Sequence, residues 1–142
     1  MPVKTEAPGN KPPDAQLGAP ALSDAVPGSA KEWYDKALAL NSNDCQKAIE
    51  YLNEAIRLNP DYVSAYRKRA SIYIEMEQYG HAIDDCYEII RLEPKDASAY
   101  HMRGYAYYYQ GYLYPGCDDA RKACRLGNCK LLKIIKYCHP TG

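Results

Sequence analysis

No run of about 18 apolar residues occurs in this 142-residue chain, so it offers no candidate helical membrane span. It carries no excess charge of either sign, with Lys plus Arg and Asp plus Glu at 18 each. That balance argues against a whole-molecule field able to collect nucleic acid or an anionic membrane. No glycine-rich phosphate loop follows a strand pattern, no His-Glu metal motif is present, and His81, His101 and His139 stand in no nucleophile–base arrangement. Nothing here reads as an enzyme, and no cofactor is expected. The cysteines lack the Cys-x-x-Cys pairs that structural zinc uses, and no metal site is assigned.

Residues 1–28 contain Pro2, Pro8, Pro12, Pro13, Pro20 and Pro27 among Gly, Ala and Ser, with no aromatic. Such a segment buries too little surface to offset its ordering entropy, and it is expected to be a disordered tail or linker. It also lacks the continuous apolar stretch of a signal peptide. Either the protein stays in the compartment where it is made, or Met1 begins a shortened chain. The folded domain is expected over 29–142.

What the remainder does have is a period. At an offset of 34, Ser64-Ala65-Tyr66 returns as Ser98-Ala99-Tyr100, Tyr73 as Tyr107, and Asp84-Asp85 as Asp118-Asp119. Ala48-Ile49 returns as Ala82-Ile83, and Ile56-Arg57-Leu58-Asn59-Pro60 as Ile90-Arg91-Leu92-Glu93-Pro94. Small residues at fixed places let two antiparallel helices approach closely, aromatics fill the angles between pairs, and the proline ends each unit. Repeats are expected near 30–62, 63–96 and 97–130, with helices near 31–41, 44–58, 62–76, 79–92, 97–110, 115–126 and 130–138. Asp61 and Asp96 stand where N-caps belong, Asn43 with Gln46 forms a capping box, Pro115 suits a first turn, and Gly111 and Gly127 suit C-caps. Segment 130–138 alternates Leu131, Ile135 and Cys138 with Lys130, Lys133 and Lys136, as an amphipathic cap would.

This unit resembles the tetratricopeptide repeat. The middle copy places Tyr66, Ala70, Tyr73, Ala82, Cys86, Ile89 and Pro94 on its pattern, and the third Tyr100, Gly104, Tyr107, Gly116, Ala120 and Ala123. The resemblance implies an all-α, right-handed solenoid of three helix–turn–helix units plus a capping helix. It also implies a concave groove, lined by the first helix of each unit, that holds a protein or peptide. The family's groove positions carry over to Tyr34, Leu38 and Asn41, to Ser64, Arg67, Ser71, Ile74 and Glu75, and to Ser98, His101, Tyr105, Tyr108 and Tyr109, with Lys68 at the rim. Tyr105, Tyr108 and Arg67 are expected at the centre of that surface. Relatives that grip acidic C-terminal tails use Asn where this chain has Leu38, Ser71 and Tyr105, which argues against chaperone-tail binding.

Arg69 and Arg103 sit beside the core, so internal pairs Arg69–Asp85 and Arg103–Asp119 are expected rather than ligand contacts, and the repeated aspartates are not acid–base pairs. Cys45 and Cys86 are expected as buried apolar side chains. If helices 115–126 and 130–138 run antiparallel about Gly127-Asn128, Cys117 faces Cys138 and Cys124 faces Cys129. Disulfides there imply a periplasmic or secreted protein, and free thiols a cytoplasmic one. Thiol-based redox or metal handling by that cluster, and self-association of an otherwise monomeric chain, are the competing functions. The six cations from Arg121 to Lys136 read as a solvated helix face.

Overall fold

In the computed structural model, which describes residues 3–4 and 28–138, the repeat period becomes three antiparallel helix pairs and a short terminal helix. The pairs are α1 (Ala30–Leu38) with α2 (Cys45–Leu58), α3 (Val63–Glu75) with α4 (Tyr79–Leu92), and α5 (Ala97–Tyr109) with α6 (Leu113–Arg125), followed by α7 (Lys130–Ile134). Each pair packs on the next through α2 against α3 and α4 against α5, and α7 closes the end against α6 and α5. Among the described residues there is no strand. A single bridge joins Lys4 to Tyr112, where the Lys4 N–H donates to the Gly111 carbonyl at 2.9 Å and the ammonium lies 4.7 Å from the Tyr112 ring centre. The rest of the expected tail, and His139, lie outside the described residues.

Periodic side chains make periodic bonds. The Tyr66 hydroxyl donates to the Pro60 carbonyl at 2.9 Å, and Tyr100, one repeat later, donates to Pro94 at 3.2 Å. Arg69 grips Asp85 through Nε and Nη2 at 2.9 and 2.6 Å, and Arg103 grips Asp119 in the same way at 2.7 and 2.8 Å. Both internal pairs anticipated from the sequence are present. Burial pushes the Asp85 carboxyl up from its ordinary value while the two guanidinium hydrogen bonds pull it back. Tyr66 and Tyr107 are core residues, whereas Tyr73 and Tyr100 are half-buried. Between α5 and α6 the backbones touch. A Cβ on Gly104 would lie 3.0 Å from the Gly116 carbonyl oxygen, and one on Gly116 would lie 3.1 Å from the Gly104 oxygen, so this crossing requires glycine on both sides.

Several boundaries differ from the sequence expectation. Helix α1 stops at Leu38 because Ala39 and Leu40 tighten onto the Asp35 and Ala37 carbonyls, and the following Asn-Ser-Asn-Asp run competes with the helix for backbone hydrogen bonds. Asp96 caps α5, accepting from the Ser98 and Ala99 N–H groups at 2.9 and 3.0 Å. Asp61 does not cap α3: the helix starts one residue later, after Tyr62, and the Asp61 N–H is held by the Asn59 side chain at 3.2 Å. The Asn43–Gln46 box does not form either, because α2 begins after Asp44 and leaves Asn43 outside. Helix α7 ends at Ile134 rather than 138. Ile135 is extended (φ −79°, ψ 100°), which keeps its side chain buried while the chain turns to bring Cys138 to a Cα–Cα distance of 5.3 Å from Cys117.

Helices α3, α5 and α6 end in the same left-handed motif, with crossed N–H bonds to the two preceding carbonyls. Gly111 (φ 86°) and Gly127 (φ 104°) supply the left-handed residue in two of them, but Glu77 (φ 58°) supplies the first. A side chain in that conformation costs about 1–2 kcal/mol, partly offset by the smaller chain entropy that Glu loses on folding. Glu77→Gly is therefore expected to stabilise the fold by about 0.5–1 kcal/mol, read as a higher urea midpoint at constant slope. A midpoint unchanged or lowered would show that this turn is not strained.

Candidate functional site

Helices α1, α3 and α5 each place one face toward a common hollow of about 350 Å³. Tyr34 comes from α1. Ser64, Arg67, Lys68 and Ser71 come from α3, where spacings of three, four and seven residues share a face, and Ser98 and Met102 come from α5. Six of the expected groove residues, Tyr34, Ser64, Arg67, Lys68, Ser71 and Ser98, thus meet here. Tyr34 is steadied by Tyr62, with ring centres 5.2 Å apart.

The two cations of the hollow differ in kind. Arg67 is anchored, 2.6 Å from Asp96 and 3.5 Å from Glu93, so its charge is largely answered from within the chain. Burial opposes ionisation of Asp96, but Arg67 and the Ala99 and Ser98 N–H groups outweigh it and hold the carboxyl below its ordinary value. Lys68 makes no ion pair among the described residues. It also borders a second hollow of about 240 Å³, in which Leu38, Asn41 and Glu75 take part.

The tyrosines expected at the groove centre lie elsewhere. Tyr105 and Tyr108 are half-buried and pack against the cluster that Cys117 and Ala120 of α6 form with Leu131 and Ile135 of the cap, so the third repeat's first helix is partly covered where an open wall was expected. Tyr109 is exposed, tilted against Tyr105 with ring centres 4.4 Å apart and stacked on Tyr79 at 5.8 Å. Tyr79, on an outer helix, occupies a place the repeat pattern does not mark. His101 is half-buried, its Nδ1 has no hydrogen-bond partner among the described residues, and burial together with the Lys130 charge pushes its imidazole below the ordinary value. Met102 is likewise absent from the residues read from sequence. Its neighbour across the hollow, Tyr34, is the signal that an apolar contact was needed there.

Cys117 is bonded to Cys138 and Cys124 to Cys129. Cys86 is buried as expected, and burial pushes its thiol well up. Cys45 is not buried: as the first residue of α2 it is half-exposed, its thiol donating to the Ser42 carbonyl at 3.1 Å. Among the described residues no group of three His, Cys, Asp or Glu side chains gathers in a metal-ligating cluster. No described helix is long and apolar enough to cross a membrane.

The tetratricopeptide repeat profile matches residues 35–104. A TPR repeat-containing protein of Rhizobium etli is 35% identical over 54 residues, covering 38% of this chain and 26% of the relative. MamA from Desulfovibrio magneticus RS-1 superposes with a TM-score of 0.66 at 26% identity, over 70% of this chain and 56% of that one. The Arabidopsis OM64 TPR domain gives 0.68 at 27%, over 75% and 89%. This chain spans about a quarter of the Rhizobium protein and just over half of the MamA chain. The recurrence at 34 residues, the helix pairs stacked in sequence and these likenesses agree: the chain carries tetratricopeptide repeats.

Proposed function

We propose that this protein is a non-catalytic scaffold that holds a segment of another protein in the hollow between α1, α3 and α5. One observation carries the reading. Lys68, which makes no ion pair among the described residues, stands beside the hydroxyls of Ser64, Ser71 and Ser98 and the apolar faces of Tyr34 and Met102. Those groups accept a backbone or acidic side chain on one side and an apolar side chain on the other. Arg67, tethered by Asp96 and Glu93, serves as a fixed wall more than as a mobile grip. A surface already in place loses little entropy on binding, which is how a rigid repeat array gains affinity.

The absence of Asn at Leu38, Ser71 and Tyr105 sets this hollow apart from the tail-binding clamp. The partner segment is therefore expected to be internal and not a free acidic C-terminus.

A pull-down from the native organism supplies the partner, and titration of the captured segment against Tyr34→Ala/Lys68→Ala supplies the test. The affinity is expected to fall by about tenfold or more, equivalent to about 1.4 kcal/mol, with the helical far-UV circular dichroism retained. Equal affinity of the variant and the parent would remove the hollow from consideration.

A further inference from the structure

The terminal segment carries a surface that the hollow does not use. On α7, Lys130, Lys133 and Ile134 are spaced three and four residues apart and face outward, while Leu131 and Ile135 face the core. Lys136 and Tyr137 continue the exposed face beyond the helix, and Arg125 at the end of α6 adds a fourth cation. Ile134 is 60% exposed and Tyr137 68%, the two most exposed large apolar side chains among the described residues.

None of these four cations makes an ion pair among the described residues. The carboxylates nearest in sequence are engaged elsewhere, Asp118 with Arg121 at 3.0 Å and Asp119 with Arg103 at 2.7 Å. The chain as a whole is neutral, so the positive charge is local to this end. The disulfides Cys117–Cys138 and Cys124–Cys129 hold the segment at both ends.

We propose that this end of the solenoid docks on an anionic lipid bilayer, with Ile134 and Tyr137 entering the headgroup region and Lys130, Lys133, Lys136 and Arg125 facing lipid phosphates. An acidic polypeptide or a nucleic acid would satisfy the cations but gives an outward-pointing isoleucine nothing to enter. A bilayer interface rewards both features, and tyrosine is favoured at that depth. Each lysine or arginine near an anionic surface multiplies the affinity by about fivefold, so four acting together suffice for a salt-dependent attachment. Because the disulfides hold the segment in place, docking costs little further ordering. No residue lining the hollow belongs to this surface, so the bilayer and a protein partner can be held together.

The test is co-sedimentation of the oxidised full-length chain with vesicles of phosphatidylglycerol and phosphatidylcholine, and with vesicles of phosphatidylcholine alone. Binding is expected to the anionic vesicles only, weakening steeply as salt is raised. Lys133→Glu/Lys136→Glu is expected to abolish it. Ile134→Ser/Tyr137→Ser is expected to weaken it by about tenfold while leaving any binding to polyglutamate or duplex DNA untouched. Far-UV circular dichroism checks that both variants remain folded. Failure to bind anionic vesicles at low salt overturns the proposal. So does equal vesicle binding by Ile134→Ser/Tyr137→Ser, or tighter binding to polyglutamate or DNA than to vesicles, either of which would make the surface a site for an acidic polymer.

Discussion

Asp85→Ala is expected to destabilise the protein by about 3–5 kcal/mol, a large part of the 5–15 kcal/mol that holds a domain together. The substitution strands the buried guanidinium of Arg69, in a place where water cannot replace the lost carboxylate. Arg69 would keep its 2.6 Å hydrogen bond to Asn53 and its approach to the Tyr66 and Tyr73 rings, centred 5.7 and 6.0 Å away, but these are weak compensation for a buried cation. The double variant Arg69→Met/Asp85→Leu removes both charges and is expected to recover most of the loss, because a matched apolar pair carries no desolvation cost. Urea unfolding followed by far-UV circular dichroism distinguishes the two. A single variant within about 1 kcal/mol of the parent would show that the pair is ornamental. The equivalent Asp119→Ala is expected to cost less, since the Arg103 side chain is 14% exposed against 10% for Arg69 and lies closer to an aromatic face, 4.6 Å from the Tyr87 ring centre.

The second large effect concerns the end of the chain. A helix of five residues cannot sustain itself in water, so α7 depends on its side chains and on the covalent link behind it. Cys117→Ser/Cys138→Ser opens a loop with a sequence separation of 21 and is expected to cost about 3 kcal/mol, most of it as regained freedom of the unfolded chain. Loss of Cys124–Cys129, with a separation of 5, is expected to cost about 2 kcal/mol by the same reasoning. The larger deletion has a local signature as well. Once Leu131 and Ile135 lift away, Lys130 and Lys133 become cleavable by trypsin and Tyr105 and Tyr108 gain solvent. Unchanged stability together with unchanged trypsin resistance would show that apolar contacts alone hold the cap.

Much of this was legible in the residues, for a physical reason: anything repeated at the structural period leaves its partner at the same period. Arg69 and Asp85 recur as Arg103 and Asp119, which marked both as internal pairs before any coordinates. The cysteine pairing followed from distances to one turn. The groove was legible only in part: Tyr34, Ser64, Arg67, Lys68, Ser71 and Ser98 converge as the repeat predicts, whereas Tyr105 and Tyr108 do not line the hollow. What sequence could not supply was contact between units. Arg67 meets an Asp96 that lies in the connection after the next helix, and nothing local announces it. Tyr105 and Tyr108 occupy groove positions by register, but the cap folds over them, and the extent of that cover depends on where α7 stops. Local capping signals failed at Asp61 and Asn43 because a shift of one residue in helix start moves the side chain out of reach.

The chain contains one tryptophan, and it sits at the far end from the cap. Trp33 is 6% exposed on α1, 5.4 Å from the Tyr51 ring and 4.5 Å beneath the Lys36 ammonium. Each unit of a repeat array touches only its neighbours, so loosening need not travel from one terminus to the other. Indole emission therefore watches the first helix pair alone, while tyrosine signals, with residues in every pair, average over the whole array. The molecule carries its own local optical gauge: loosening of the first pair registers apart from the unfolding of the rest, without any introduced label.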